Sequence, residues 1–239
     1  MAFDLNSNRV GPNGTTTLGA SDAGLRAYMH GIYNYMAGGL AVTGLIAYQA
    51  ATSGFYARIA ATPMIWVVML APLALVFLLG FRIQKMSLPA AQATYWSYAA
   101  LMGLSLGGIF LLYTGQSISR VFFITAGTFG AMSFYGYTTR TDLSRFGSFL
   151  MMGLFGIIIA SLVNMFLHST ALQFAVSVIG VIVFVGLTAY DTQKIVAMYA
   201  AADGHEVAGK KSIMGALMLY LDFINLFLML LRLFGDRRN

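Results

Sequence analysis

Residues 146–190, FGSFLMMGLFGIIIASLVNMFLHSTALQFAVSVIGVIVFVGLTAY, form a stretch of 45 residues without Asp, Glu, Lys or Arg. A helix that crosses the hydrocarbon of a bilayer needs about 20 mostly apolar residues, so this stretch is long enough for two membrane spans. Its only candidate turn is the polar triplet at 168–170, His-Ser-Thr. We therefore predict that one helix ends near Leu167 and that the next begins near Ala171.

The composition of the whole chain agrees with a membrane protein. Of its 239 residues, 59% are hydrophobic and 9% are charged, whereas about 25% of the residues in a soluble domain are charged. The chain has no cysteine, which excludes a disulfide scaffold, thiol catalysis and thiolate metal sites. The net charge of +6 comes from basic residues scattered between apolar stretches. Nucleic acid is therefore not an expected partner, and the lipid bilayer is.

Other stretches without Asp, Glu, Lys or Arg predict four further spans, and residues 212–231 predict one more if Asp222 is ignored. The fold class is an all-α polytopic bundle of seven transmembrane helices. Residues 1–27 contain no apolar segment of the kind found in a cleaved signal peptide. We therefore predict a flexible cytoplasmic N-terminal tail at 1–27 and a single transmembrane domain at 28–239. The seven predicted spans are approximately 28–50, 59–81, 92–113, 119–139, 146–167, 171–192 and 212–234.

The distribution of Lys and Arg predicts the orientation in the membrane. Nine of the fourteen basic residues fall in the tail and in loops on the same side as the tail, which places the N-terminus in the cytoplasm. Three of the other five are Arg232, Arg237 and Arg238. If the last segment re-entered the membrane without crossing it, these three arginines would join the cytoplasmic side. That side would then hold twelve basic residues and the opposite side two. The distribution of basic residues is therefore compatible with either six or seven membrane crossings.

Small residues are frequent in the spans, as in Gly103 and Gly107 or in the run 125–133 with its Thr, Gly and Ser residues. Such residues let helix backbones approach closely and hydrogen-bond across an interface. We interpret them as packing residues, with the lining of a pore as the alternative.

Asp222 is the acid that lies deepest in a predicted span. The chain has eight Asp and Glu residues, and six of them lie in tails or loops. Asp222 lies ten residues past the predicted start of span seven, or about 15 Å along a helix, and Asn225 follows on the same face. An aspartate at this depth costs at least about 2.5 kcal/mol on insertion scales and is a functional candidate. A structural, hydrogen-bonded role is the alternative.

Asp191 lies at the cytoplasmic end of span six, with Thr188 one turn before it and Lys194 one turn after it. An interfacial acid balanced by Lys194 or water is one interpretation. The other is a pair with Asp222, because spans six and seven are consecutive and antiparallel. Straight, perpendicular helices would place the two acids up to about 15 Å apart in depth. A contact therefore requires tilt, a kink or an earlier start of span seven.

Two carboxylates in contact would share one proton and act as a pH sensor. When ionised, Asp191 and Asp222 are candidate transient Ca²⁺ ligands, although two carboxylates fall short of the six to eight oxygens that Ca²⁺ takes. Arg82, at the cytoplasmic end of span two, is a candidate ion-pair partner of Asp191. Such a pair would latch the cytoplasmic mouth until protonation released it.

Four segments resemble the Bax inhibitor family of multi-spanning membrane proteins, also called the transmembrane Bax inhibitor motif family, and its bacterial members most. They are LRAYM at 25–29, YNYM at 33–36, GLTAYDTQ at 186–193 and LYLDFINLF at 219–227. The last two are specific, and the resemblance covers nearly all of the chain from Leu25 to Gly235.

The resemblance implies six helices around a central seventh and a pH-sensitive passive calcium leak in a bacterial inner membrane. By motif position, Asp191 and Asp222 are the gating acids, and Arg82 matches the basic residue of a latch. Asn225 and Thr188 are supporting polar residues because they lie one turn from the acids. Ca²⁺ would be the transported ion, and no cofactor and no enzymatic activity are implied. Bacterial relatives are also described as modulators of a membrane-bound quality-control protease, which makes such a protease a candidate partner.

Two other function classes compete with a channel. In an intramembrane aspartyl protease of the presenilin type, two aspartates on neighbouring spans would activate water, but the Gly-x-Gly-Asp and Pro-Ala-Leu segments of those enzymes are missing here and no proline follows Pro89. A non-conducting regulator would bind a membrane protease through the tail and the basic loops. A metalloenzyme is not expected, because His30, His168 and His205 lie in separate parts of the chain.

Overall fold

The computed structural model describes residues 17–238, with side chains from residue 23, and this part of the chain is built from α-helices. Eight α-helices follow one another, of which seven are long and one is a short helix between the first two long ones. Their bounds are α1 (Thr17–Thr52), α2 (Phe55–Ala60), α3 (Met64–Arg82), α4 (Leu88–Leu112), α5 (Gly115–Thr138), α6 (Ser144–Leu167), α7 (Thr170–Ala197) and α8 (His205–Phe234).

Five of these helices are long and apolar enough to cross a membrane, namely α3, α4, α6, α7 and α8. The chain is therefore a multi-pass membrane protein. Helices α1 and α5 have the length of a span, but their Gly, Ser, Thr and Tyr residues make them less apolar than the other five. The seven long helices lie where the apolar stretches predict seven spans.

The predicted turn between the fifth and sixth spans is confirmed by the bounds of α6 and α7. His168 follows α6 in the left-handed conformation, with φ of 51°. Ser169 precedes α7 and caps it, because its hydroxyl accepts a hydrogen bond of 3.3 Å from the Leu172 amide. The cap satisfies one of the free amides at the helix start, and two residues are enough to reverse the chain.

Three predicted boundaries are corrected by the structure. Helix α1 begins at Thr17, so residues 17–27 of the predicted tail are helical, while residues 1–16 lie outside the described part of the chain. The region before α3 forms the separate helix α2. The connection between α7 and α8 is 198–204, shorter than the 193–211 that the predicted spans leave between them. The cause is common to the first and third corrections: apolar patterning ends at the membrane surface, but helical backbone hydrogen bonds continue into polar sequence.

Helix α8 lies at the centre of the bundle. It packs against α1, α3, α4, α5 and α7, whereas α6 packs mainly against α7, and α3 mainly against α4. In the most apolar 18-residue stretch of α8, 72% of the residues are buried, against 11% in α6. The core therefore consists of α8 and the faces of its neighbours.

Small residues allow the helices around α8 to approach closely, as the sequence predicts. A side-chain carbon added at Gly103 of α4 would lie 2.7 Å from the Thr43 carbonyl oxygen of α1. One added at Gly136 of α5 would collide with the Ala189 carbonyl of α7. Packing is therefore confirmed for Gly103. The prediction is wrong for Gly127 and Gly130 of α5, because an added side-chain carbon at either position meets nothing within 4 Å.

Both ends of α8 are attached to neighbouring segments. At its start, Lys211 donates hydrogen bonds to the Met198 carbonyl at 2.9 Å and to Asp203 at 2.5 Å. At its end, residues 235–238, which we name the C-terminal strap, lie against the turn between α4 and α5. The Asp236 amide donates to Ser117 Oγ at 2.8 Å, and its carboxylate forms a salt bridge of 3.0 Å with Arg120.

Candidate functional site

The register of α7 against α8 determines whether the two intramembrane acids meet. A side-chain carbon at Gly215 of α8 would lie 3.4 Å from Ile195 Cγ1 of α7, and one at Gly180 of α7 would lie 2.9 Å from Met229 Cγ of α8. From these contacts, the α8 residue that lies at the same depth as Asp191 is about one turn away from Asp222, or roughly 5 Å along the helix. The separation in depth is far below the 15 Å limit set by the predicted boundaries, because α8 begins earlier than predicted and its first two turns extend beyond the end of α7.

The carboxyl groups of Asp191 and Asp222 lie within hydrogen-bonding reach of each other. Asp222 is buried, with 4% of its surface exposed, and Asp191 is half-buried. Asp222 Oδ2 has no donor among the described protein groups. A hydrogen bond between two carboxyl groups exists only when one of them carries a proton. The contact is therefore a hydrogen bond when the two acids share one proton.

The other acids with described side chains have a different kind of partner. Asp203 pairs with Lys211, Glu206 with Lys210 at 2.8 Å and Asp236 with Arg120. Asp142 accepts a hydrogen bond of 2.9 Å from the Ser144 amide. Neither Asp191 nor Asp222 has a salt bridge within residues 23–238, although the exposed Lys194 is close enough to act electrostatically on Asp191. Each acid of the pair thus has the other as its polar contact.

The two predicted supporting residues lie beside the pair but direct their donors elsewhere. The Thr188 hydroxyl donates to the Phe184 carbonyl at 2.8 Å, and the Asn225 amide donates to the Leu221 carbonyl at 2.8 Å. Both bonds stay within a single helix. The role of Thr188 and Asn225 as supporting polar residues therefore stays a prediction.

Arg82 is not brought to Asp191 in this structure. It is exposed at the end of α3, which packs mainly against α4, whereas α7 packs against α5, α6 and α8. Its side chain forms no salt bridge with any acid in the described region. The predicted latch between Arg82 and Asp191 is therefore not formed here.

A chain of hydroxyl groups next to the pair was not predicted from the sequence. Tyr33 of α1 contacts Ser133 of α5 at 2.5 Å, and Ser133 contacts Thr192 of α7 at 3.0 Å. Thr192 donates its only hydroxyl proton to the Thr188 carbonyl at 2.7 Å. Ser133 must therefore donate to Thr192, and Tyr33 must donate to Ser133. All the hydrogen bonds in this chain of hydroxyl groups are thus donated in the direction of α7.

This hydroxyl chain connects three helices at the level of the acids, since Thr192 directly follows Asp191. Thr192 is fully buried and Ser133 is 3% exposed, so the bond between them is shielded from water, whereas the bond from Tyr33 is partly buried. No local pattern identifies such a chain, because its members are 100 and 59 residues apart. Only the threonine next to Asp191 was a usable signal.

The oxygens of the acid pair are too few to form a complete Ca²⁺ site by themselves. The residues with described side chains contain no group of three or more His, Asp or Glu residues able to hold a metal ion. Two carboxylates supply at most four oxygens, and Ca²⁺ takes six to eight. Water and backbone carbonyls would have to supply the remainder.

Comparison with known proteins gives close and nearly full-length matches. The family model described as inhibitor of apoptosis-promoting Bax1 matches residues 25–239. An inner membrane protein of Escherichia coli strain K12, YbhL, is 52% identical over 220 residues, which is 90% of this chain and 94% of the relative. A protein of Rickettsia prowazekii is 52% identical over 91% of this chain and 93% of its own length. One from Caulobacter vibrioides is 46% identical over 91% of this chain and 92% of its own.

Proposed function

Because the chain belongs to the Bax inhibitor family, we propose that it is a passive, pH-sensitive calcium leak channel gated by Asp191 and Asp222. The observation that carries the proposal is the contact of two carboxyl groups from two helices inside the bundle. This arrangement makes the force between α7 and α8 depend on the number of bound protons.

The gate follows from elementary electrostatics. With one shared proton, the pair forms a hydrogen bond that holds α7 to α8. With no proton, two negative charges face each other in a poorly solvated site and repel. The closed and open populations of the bundle therefore shift with pH, by an amount set by their free-energy difference.

Calcium is the favoured ion because the ionised pair is a hard, oxygen-rich and negatively charged site. The pair provides too few ligands to retain the ion, and weak binding is what a leak requires, since a conducted ion must leave as easily as it enters. In this mechanism Ca²⁺ is cargo, and no catalytic role is assigned to the aspartates.

We place the protein in a bacterial inner membrane with the N-terminus in the cytoplasm, six helices around α8 and seven crossings in total. The E. coli relative is named an inner membrane protein. Seven crossings are supported by the course of α8, whose 30 residues extend about 45 Å. Its C-terminal strap reaches the turn between α4 and α5, at the opposite end of the bundle from the connection between α7 and α8.

The test is calcium entry into dye-loaded proteoliposomes over about pH 5 to 8, which brackets the range where shared carboxyl protons exchange. In Asp222→Asn, the side-chain amide can donate to Asp191 but cannot titrate, so the flux changes and its pH dependence flattens. In Asp191→Asn, leak rises at neutral pH if this acid also latches Arg82. Loss of flux in that variant would instead identify Asp191 as an ion ligand.

The matched control is Asp142→Asn, which removes an acid from the exposed connection between α5 and α6. Unchanged flux and pH response in Asp222→Asn would remove this residue from the mechanism. If the wild-type protein gives no flux at any pH, the channel proposal fails. The non-conducting regulator that binds a membrane protease is then favoured, and deletion of residues 1–24 should abolish that binding.

A further inference from the structure

A cleft of about 550 Å³ opens between α1 and α5, two helices that do not pack closely against each other. Its floor is Phe223 of α8, and its volume lies within the range of small-ligand sites. The contact between Tyr33 and Ser133 joins the two walls at one level. The cleft is separate from the acid pair, although Phe223 directly follows Asp222.

The walls and the mouth of the cleft differ in chemistry. The walls are mainly apolar, with Met29 and Met36 on α1 and Phe129 on α5. Arg26 and His30 stand at the end nearest the start of α1, and both are exposed. The cleft is therefore amphipathic along its length, with one cationic end.

The length of the cleft fits one leaflet of a bilayer. From Arg26 to Ala37, the two limits of the cleft on α1, the helix rises about 16 Å, which is about half of the roughly 30 Å hydrocarbon thickness. A cation at one end and an apolar slot of this length match a lipid with an anionic headgroup.

We propose that this cleft binds one anionic phospholipid, with an acyl chain between α1 and α5 and the headgroup phosphate on Arg26. Basic pockets between transmembrane helices are known to hold anionic headgroups. A free phosphate would leave the apolar walls unused, and a zwitterionic lipid would bring no net charge to Arg26. The inference goes beyond the proposed function, because lipid binding does not require ion flow.

Two glycines of α5 provide a matched pair of variants. An added side-chain carbon meets nothing within 4 Å at either Gly130 or Gly127, so the first carbon of a side chain has room at both positions. Gly130 lines the cleft and Gly127 does not. Gly130→Leu therefore fills the acyl-chain slot, and Gly127→Leu adds the same side chain outside it.

The experiment titrates the full chain, purified in a mild detergent, with phosphatidylglycerol and measures bound lipid by native mass spectrometry. Phosphatidylcholine, inorganic phosphate and a free fatty acid are titrated in parallel. We expect phosphatidylglycerol to bind one molecule per chain. Arg26→Gln should weaken it about fivefold, since a basic side chain near a membrane surface contributes about 1 kcal/mol. Gly130→Leu should abolish retention, and Gly127→Leu should bind like the wild type.

Equal binding of phosphatidylcholine and phosphatidylglycerol would overturn the proposal, and so would equal binding by the wild type and Gly130→Leu. Binding of inorganic phosphate alone at Arg26 would also overturn it, because the acyl chain would then have no part. Unfolding midpoints without lipid, measured for all variants, show whether a loss of binding reflects a loss of folding. Since no ion flux enters these measurements, their failure leaves the channel proposal untouched.

Discussion

Helices α6 and α8 contain similarly apolar stretches but occupy opposite positions in the bundle. Their most apolar stretches have mean hydropathies of 2.3 and 2.0, and both meet the requirements of a membrane span. Yet 72% of that stretch is buried inside the protein in α8, against 11% in α6. The more apolar helix is the one that faces outward.

The difference shows that in a membrane hydropathy identifies a span but not its place in the bundle. Lipid tails are as apolar as leucine, so no hydrophobic force draws an apolar helix to the centre. A buried polar group does have a preference, because hydrocarbon cannot satisfy it. Helix α8 buries such a group, Asp222, within its apolar part, whereas α6 has no acid in its sequence.

The strongest test of this comparison adds a side chain where interior helices touch. In Gly136→Val the new side chain would collide with the Ala189 carbonyl of α7, so we expect little or no folded protein. Gly156→Val on α6 meets nothing within 4 Å and should fold normally. Size-exclusion chromatography of the detergent-extracted proteins compares the yields of folded protein. A monodisperse, wild-type yield of Gly136→Val would contradict the close packing of α5 and α7.

A smaller effect is expected from removing leucine side chains. Leu226 of α8 is fully buried, and Leu162 of α6 is 54% exposed. Leu226→Ala should lower the free energy of unfolding by about 2 to 4 kcal/mol, since it leaves a cavity. Leu162→Ala should change it by less than about 0.5 kcal/mol. Reversible unfolding in mixed detergents measures both, and similar losses in the two variants would remove the distinction between centre and periphery.

The hydroxyl chain predicts a loss of about 1 kcal/mol in Tyr33→Phe, the typical net contribution of one hydrogen bond. The phenyl ring remains, so only the bond from α1 to Ser133 is removed. Tyr137→Phe is the control, because Tyr137 is half-buried in the wall of the same cleft and forms no side-chain hydrogen bond to the described part of the chain. The same unfolding assay applies. Equal losses of unfolding free energy in the two variants would show that the hydroxyl chain does not stabilise the packing of the helices.

The smallest effect is expected at Asp142. The Ser144 backbone amide, which donates to Asp142 Oδ1, holds the pKa of this carboxyl below its usual range. The stabilisation from a lowered pKa is present above the unfolded value of about 3.9 and is lost only as the pH falls through the folded value. Asp142→Asn should therefore reproduce the wild-type flux profile between about pH 5 and 8. A changed profile would mean that loop acids contribute to the pH response.

Much of the fold was predictable because each long helix corresponds to an apolar stretch that composition alone reveals. Helix α2 was missed, since its six residues are too short to show a pattern. The helical extension before residue 28 was missed because its sequence is polar. Apolar patterning reports contact with lipid, whereas helix bounds depend on backbone hydrogen bonds and caps.

The candidate site was predictable in its residues and not in its contacts. Asp191 and Asp222 stand out because acids are costly in spans, but their contact depends on a register that no single helix encodes. The predicted distance between them assumed that α8 begins near residue 212. The hydroxyl of Tyr33 was not recognised for a related reason, since its partner lies 100 residues away. The proposed partnership of Arg82 and Asp191 stays a prediction.

The attachment of α8 at both ends has a mechanical consequence. Lys211 fixes its first turns to the Met198 carbonyl, and the C-terminal strap fixes its last turn through Ser117 and Arg120. A rod clamped at both ends cannot slide like a piston along its own axis without breaking these attachments. The movements left to it are rotation, bending and sideways separation from its neighbours. Any signal that begins at Asp222, near the middle of the rod, must therefore spread outward across the bundle instead of along the helix toward either membrane surface.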